Sequence, residues 1–480
     1  MAPARARSEP PRLSVVARVE ILHWNDVHAR FGALARLSAR ARQVRDAAPH
    51  PVLLLDGGDV EDTSVRLSAM TYGVAGWRLL KAAGVDAAVV GNGGLLRYGP
   101  AVLPRYAAAL GSPPLVCDVE TDDGRVLEGT ARGRLLDAGD VRVGVVGVTD
   151  YYFQYDTLGL RERGRVTAVR EEALRLRAEG ADVVVLLSHT GVHADRAISW
   201  ALRGTIDLIV GGHTHHLLLD GDRDEGVPIA QAGCFGEHLG RVVLEVDRTA
   251  ERPVQVVDMT VEPVAEDAPA DPAVLAETER AEADLEAWLD EPLGHLDEEA
   301  PHDGDGRSHA AEVVLTALLD RFPAEVGVLI AAHCTDGLPG GAVRRRDVWA
   351  TTSSPGNPAT GTLTGAELRA MLRRGWSEEY AAHAPRTFRF RPFGRLQTVG
   401  VDERDGELLV GGEPLDDDRR YSVTGSDLEL APYGGLVAAH PEDVRYDSSV
   451  ILPEALEAWF SRASGAGSRA ARRPGSPASR

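Results

Sequence analysis

Asp26, His28, Asp59, Asn92, His189, His213 and His215 are carboxylate, amide and imidazole groups spread over five short fragments. The fragments read Asn25-Asp26-Val27-His28, Gly57-Gly58-Asp59, Gly91-Asn92, Ser188-His189 and Gly211-Gly212-His213-Thr214-His215. A mixed nitrogen and oxygen donor set of this size suits two divalent ions. Imidazole favours zinc, iron or manganese while carboxylate and amide oxygens draw the balance toward harder ions, so Mn, Fe or Zn fit. Asp-x-His in a loop lets both side chains reach one ion, Asp59 is placed to bridge, and Asn92 offers a neutral carbonyl oxygen to the second ion. Taken singly, an Asp after a strand is usually a cap, and a lone His usually satisfies a hydrogen bond. Five fragments in order carry the signal together, Gly-Gly-His-Thr-His most specifically, and the chemistry they suit is metal-assisted hydrolysis.

Such a site needs elements that end where its ligands begin. From Val15 to about Val261, short apolar runs alternate with amphipathic segments, the pattern of α/β layering. Val16 to His23, Val52 to Leu55, Ala87 to Val90, Arg142 to Val148, Val183 to Leu187, Asp207 to Val210 and Arg241 to Val246 read as strands. Arg66 to Ala82 and Thr167 to Glu179 have helical spacing, with Gly84 and Gly180 as stops. Asp26, Asp59, Asn92, His189 and His213 each fall just past the carboxyl end of a strand, where open α/β sheets bind ligands.

The segment 263–295 reads as a linker that starts Pro- and Asp-rich and carries an acidic helix from Ala273 to about Leu289. A second domain is expected at 296–460, with helices at Ala310 to Arg321 and Gly365 to Arg374 and strands at Val326 to Ala331 and Tyr421 to Thr424. Residues 1–13, and 461–480 with only Ser, Arg, Ala, Gly and Pro, are expected to be disordered. The first domain then occupies 14–262.

The chain of 480 residues is 44% hydrophobic and 26% charged, enough for a full core and more than one domain. Its formal net charge of −21 argues against nucleic-acid and anionic-membrane partners, which need clustered positive charge. A small phosphorylated substrate stays open. Cys117, Cys234 and Cys334 are too few and too far apart for a disulfide framework or thiolate metal site. No stretch reads as a secretory signal or a membrane span, so a cytoplasmic location is expected. Composition says nothing of the oligomeric state.

The order and wording of the five fragments resemble the 5′-nucleotidase family of calcineurin-like metallophosphoesterases. Ile21-Leu22-His23-Trp24-Asn25-Asp26 resembles the family's opening motif, and Pro228-Ile229-Ala230-Gln231-Ala232-Gly233 the segment after its last metal motif. Gly337-Leu338-Pro339, Asp347-Val348, Pro355-Gly356-Asn357 and Leu363-Thr364-Gly365-Ala366-Glu367-Leu368 resemble its C-terminal substrate domain. The resemblance implies an N-terminal four-layer α/β/β/α domain and a C-terminal α/β substrate domain. It also implies that Asp26, His28, Asp59 and His215 hold one ion and Asp59, Asn92, His189 and His213 the other, with a water between them as nucleophile.

The chain departs from that family at catalytic positions. Where the family has His-Glu-Phe-Asp after the Asn, this sequence has Gly93-Gly94-Leu95-Leu96, so the His-Asp dyad is replaced at Gly93 and Leu96. Loss of a general acid costs about 10²–10⁴-fold in rate. Arg97 or Tyr98 in the same loop is either a substitute or, more blandly, a solvated Arg and a packed Tyr. The family's nucleotide-binding Arg aligns with Thr335, and its two base-stacking aromatics align near Arg395 and Leu436. Tyr433 is left to supply one face, and Arg389, Arg391 and Arg395 to grip an anion. Two readings follow: a metal-dependent phosphoester hydrolase with altered specificity, and a metal-binding, catalytically silent relative that recognises a ligand or partner.

Overall fold

The computed structural model describes residues 16–223, 226–303, 308–385, 391–447 and 450–463. Residues 1–13, the tail beyond 463 and Arg389 lie outside the described residues. The helix Leu452–Ala463 continues past Phe460, so the expected tail cannot begin at Ser461. The chain divides into two compact units between Leu285 and Glu286.

The N-terminal unit is built on two five-stranded sheets. In the first, Val254–Pro263, His238–Val246, Ala17–Trp24, Val52–Asp56 and Ala87–Ala88 lie side by side. In the second the order is Ile229–Ala230, Leu208–Gly211, Val183–His189, Val141–Thr149 and Gly133–Ala138. Strand side chains alternate between faces: in Ala17–Trp24, Val52–Asp56, Val141–Thr149 and Val183–His189 the odd-numbered residues point inward, and in Leu208–Gly211 and His238–Val246 the even-numbered ones do. Val19, Ile21, Leu53 and Leu55 meet Val143, Val145, Val183, Val185 and Leu187 in one buried cluster between the sheets. On the other face of the second sheet, Val146, Val148, Val184, Leu186 and Ile209 pack with Val169, Ala173 and Leu176 of helix Arg165–Ala178 and Ile198 of helix Val192–Ala201. Strands buried on both faces need near-continuous apolar runs, which is what made them legible.

Two expectations change. The single helix expected over Arg66 to Ala82 is two, Arg66–Met70 and Val74–Ala83, because the backbone turns left-handed at Tyr72 (φ 58°) and Gly73 (φ 78°). Gly84 closes the second helix at φ 80°, a conformation glycine adopts without a Cβ penalty. The strand expected over Ala87 to Val90 shrinks to Ala87–Ala88, and Val89 pairs with Leu115 instead of continuing the ladder.

In the C-terminal unit, five strands lie in the order Leu396–Val399, Val326–Ile330, Arg420–Ser426, Pro358–Thr364 and Glu442–Tyr446. Val328 and Ile330 face Leu368, Met371 and Leu372 of helix Gly365–Gly375, and Leu329 faces Val314, Leu315 and Leu318 of helix His309–Arg321. The Thr364 side chain accepts from the Glu367 N–H while the Glu367 carboxylate accepts from the Thr364 N–H. The Leu-Thr-Gly-Ala-Glu-Leu motif is thus a reciprocal helix cap.

Candidate functional site

Strand direction brings the fragments to one edge. Ala17–Trp24 runs parallel to Val52–Asp56, and Val183–His189 parallel to Leu208–Gly211. Asp26, Asp59 and His213 therefore leave carboxyl ends, His189 is itself the last strand residue, and Asn92 opens helix Asn92–Tyr98. The backbone is strained to aim them. Asp26, His28, Asp59, His213 and His215 all have φ between 47° and 74°, a region that costs a non-glycine residue free energy and persists at functional sites. Gly91 must be glycine, since a Cβ there would lie 2.1 Å from Asp59 Oδ1.

All seven predicted ligands are connected in one cluster. Asp26 Oδ1 lies 3.3 Å from His215 Nε2, 3.6 Å from His28 Nε2 and 3.9 Å from His189 Nε2. His189 Nε2 lies 3.4 Å from Asp59 Oδ2 and 3.2 Å from Asn92 Oδ1, and His213 Nδ1 lies 2.9 Å from the same Asn92 oxygen. Donor atoms converge in two groups, Asp26 with His28 and His215, and Asp26 with Asp59 and His189. The carboxylate common to both is Asp26.

The arrangement fits divalent metal. Among the described residues Asp26 Oδ1 is buried and accepts no hydrogen bond although three imidazole nitrogens face it, and a buried carboxylate oxygen without a partner is costly. The Nε2 atoms of His28 and His215 face each other at 3.1 Å. Two nitrogens sharing one ion at Zn–N lengths of about 2.0–2.1 Å lie roughly 3 Å apart. The other ring nitrogens are held from behind: His189 Nδ1 by Gly57 O at 2.7 Å and His28 Nδ1 by Glu61 O at 3.3 Å. Such outer hydrogen bonds fix the tautomer that leaves Nε2 free to ligate.

The local field favours a cation. Burial alone would push the His189 ring down, yet the facing Asp59 and Asp26 carboxylates lift it to about 10. Burial would raise Asp26, but the facing His215, His28 and His189 imidazoles hold it well below the usual carboxylate range. Burial likewise opposes ionisation of Asp59, and His189 outweighs it.

Several participants were not foreseen. Asn25 Nδ2 donates to Asp26 Oδ2 at 2.7 Å and to Gly233 O, while its Oδ1 accepts from Ala232 N–H, clamping the Asp26 loop to the loop that follows strand Ile229–Ala230. Asp150 Oδ2 lies 3.6 Å from His213 Nε2. Behind His189, buried Asp195 accepts from Ser188 and Thr190 hydroxyls. Asn25 belonged to a motif; Asp150 and Asp195 carried no spacing signal. The two loop residues weighed as substitutes for the dyad are engaged elsewhere. Arg97 lies over the Tyr98 ring, and Tyr98 OH donates to Ala69 O.

The C-terminal unit holds a separate cavity of about 1160 Å³, lined among others by Thr335, Arg374, Arg391, Phe393, Asp427 and Tyr433. Of the expected substrate contacts, Thr335, Arg391 and Tyr433 line it. Leu436 is core and Arg395 lies over the Trp376 ring, so neither is a cavity wall.

Layered sheets with a convergent carboxylate, amide and imidazole cluster at their strand ends define a metallophosphoesterase. Comparison with known proteins agrees. The calcineurin-like phosphoesterase family model matches residues 19–217, and the 5'-nucleotidase C-terminal domain model matches residues 292–439. The chain is 25% identical over 428 residues to the uncharacterized metallophosphoesterase YunD of Bacillus subtilis, covering 86% of this chain and 92% of the relative. It is 25% identical over 500 residues to the 5'-nucleotidase of Bos taurus, covering 89% and 85%. The NAD nucleotidase structure of Haemophilus influenzae shares the fold, with a TM-score of 0.51 at 14% identity over 94% of this chain and 97% of the other. The chain belongs to the 5′-nucleotidase family of calcineurin-like metallophosphoesterases.

Proposed function

We propose that this chain is a metal-dependent hydrolase of small phosphoesters, using two divalent ions held by Asp26, His28, Asp59, Asn92, His189, His213 and His215. The observation that carries the reading is the buried, unpartnered Asp26 Oδ1 facing three imidazoles at 3.3–3.9 Å. Two divalent ions supply electrophilic polarisation of the phosphoryl oxygens and activation of water.

The chain's own residues set the rest of the chemistry. Asn25, Gly57 and Glu61 orient the ligand side chains through the hydrogen bonds described above, with no reorganisation needed when substrate arrives. Gly93 and Leu96 hold no proton for the leaving oxygen. Substrates whose leaving group departs as a stable anion are therefore favoured, aryl esters and phosphoanhydrides before alkyl monoesters. That same loss supports the second reading, a metal-binding relative with little turnover.

The two separate in one assay. The Mn²⁺-loaded protein is tested on p-nitrophenyl phosphate, bis-p-nitrophenyl phosphate, AMP and UDP-glucose beside Asp59→Ala. Turnover well above that control supports the hydrolase; rates equal to it for every substrate, with metal bound, support the silent relative.

A further inference from the structure

The C-terminal cavity contains a chain of groups that binding alone does not require. His333 Nδ1 lies 2.7 Å from Ser354 Oγ, and His333 Nε2 lies 3.2 Å from Glu429 Oε1. His333 and Ser354 both line the cavity, and Glu429 is buried behind them. The three come from separate loops at one end of the sheet. His333 follows strand Val326–Ile330, Glu429 follows the parallel strand Arg420–Ser426, and Ser354 precedes the antiparallel Pro358–Thr364.

Glu429 is held as a base-orienting anion. Its Oε1 accepts from Ile330 N–H at 3.0 Å, and its Oε2 accepts from Ser426 N–H at 2.9 Å and Ser426 Oγ at 2.5 Å. Burial would raise it, but the facing His333 and these hydrogen bonds bring it below the usual glutamate range. An ionised carboxylate facing Nε2 sets the proton there and leaves Nδ1 to accept from Ser354 Oγ–H. Ser426 Oγ lies 3.2 Å from the same Nε2, and Gly356 N–H donates to Ser354 Oγ at 3.2 Å.

We propose that Ser354, His333 and Glu429 form a second, metal-independent hydrolytic centre acting on small carboxylic esters. A hydroxyl, an imidazole and a carboxylate in hydrogen-bonded series, with the hydroxyl at a cavity wall, match the nucleophile, base and orienting group of acyl transfer. Ser354 Oγ attacks the ester carbon and forms the C–O bond of an acyl-serine as its proton passes to His333 Nδ1. The bond to the alcohol breaks and that proton leaves with the alcohol oxygen. Water then attacks the acyl-serine, gives one proton to Nδ1, and releases the acid as the proton returns to Ser354 Oγ. Arg374 and Arg391 line the same cavity, so esters bearing an anionic group are preferred.

The test uses the full chain in excess EDTA, which removes the metal centre from account. It is incubated with p-nitrophenyl acetate and with a fluorophosphonate probe, beside Ser354→Ala. The expected result is a burst of about one p-nitrophenolate per chain, a fluorophosphonyl adduct mapped to Ser354 by peptide mass spectrometry, and loss of both by at least ~10²-fold in the variant. Mapping in the unsubstituted chain does not depend on how the variant folds. No adduct on Ser354, or hydrolysis equal in Ser354→Ala, overturns the proposal.

Discussion

The backbone N–H of Gly93 donates to Asp59 Oδ1 at 2.8 Å, and a Cβ on Gly93 would stand 3.1 Å from that oxygen. The position where the family resemblance places a catalytic His thus adjoins the candidate metal ligands, and a side chain there requires Asp59 to give by a few tenths of an ångström. Gly93 and Leu96 are one helical turn apart on helix Asn92–Tyr98, and residues at that spacing meet. Gly93→His combined with Leu96→Asp is expected to raise kcat/KM for alkyl phosphates by about 10²–10⁴-fold while moving aryl phosphates far less. An unchanged ratio between the two substrates would show that proton donation is not what the chain lacks.

Metal is expected to stabilise the N-terminal unit, because it neutralises carboxylates that now face one another inside the protein. A ligand at about 100 times its Kd adds ~2.7 kcal/mol to the native state. Thermal melts with Mn²⁺ and with EDTA should differ by several degrees in the native sequence and converge in Asp26→Asn. Metal analysis of the native protein should return close to two ions per chain. Melts that ignore both metal and chelator would count against the ligand assignment.

Much of this centre was legible in the sequence because its ligands follow buried strands whose apolar runs can be read directly, as with Val183 to Leu187 before His189. What was not legible is instructive. The left-handed backbone at Tyr72 depends on tertiary packing and broke a helix that spacing alone made continuous. Asp150 and Asp195 approach the cluster from other elements, so no local spacing marks them. The His333, Ser354 and Glu429 arrangement joins three loops that only sheet topology brings together.

Gly94 has a structural reason distinct from that of Gly93. A Cβ at Gly94 would meet Tyr106 OH at 2.5 Å and Glu61 Oε1 at 2.8 Å, and that Glu61 oxygen accepts from Trp77 Nε1 at 2.5 Å. None of these buried groups is the free end of a flexible surface chain. Gly94→Ala is therefore expected to cost about 1–3 kcal/mol by overpacking, read as a lower urea midpoint with unchanged slope. A midpoint within error of the native protein would mean that Glu61 relaxes freely.

Arg345 tests the C-terminal unit independently of either site. Its guanidinium is fully buried and donates to Glu457 at 2.7 Å, Glu291 at 2.6 Å and Trp288 O at 2.7 Å, with the Trp288 ring 4.3 Å away. Arg345→Ala removes the charged partner of Glu457 and Glu291; Glu457 keeps the Trp349 Nε1 donor and both carboxylates reach solvent, so the cost falls below the about 3–5 kcal/mol typical of a fully buried pair. Its loss should lower the C-terminal unit's unfolding midpoint and leave the Mn²⁺-dependent shift of the N-terminal unit in place.

Acid stability should carry the signature of Glu429. Because its pKa is lowered in the folded state, the unfolded chain binds the proton more readily, so the stability it contributes is present above the unfolded glutamate pKa. That contribution fades as pH falls below about 4.3, the unperturbed value, and through the lower folded one. Glu429→Gln removes the titration and keeps one acceptor oxygen, for either Ile330 N–H or Ser426, while its NH2 group faces the other; midpoints are therefore compared as losses within each protein. Comparing urea midpoints at neutral pH and near pH 3.5, the native sequence should lose more of its C-terminal stability than the variant does. Equal losses would place the acid sensitivity in other carboxylates and would mean that Glu429 is not held as an anion behind His333.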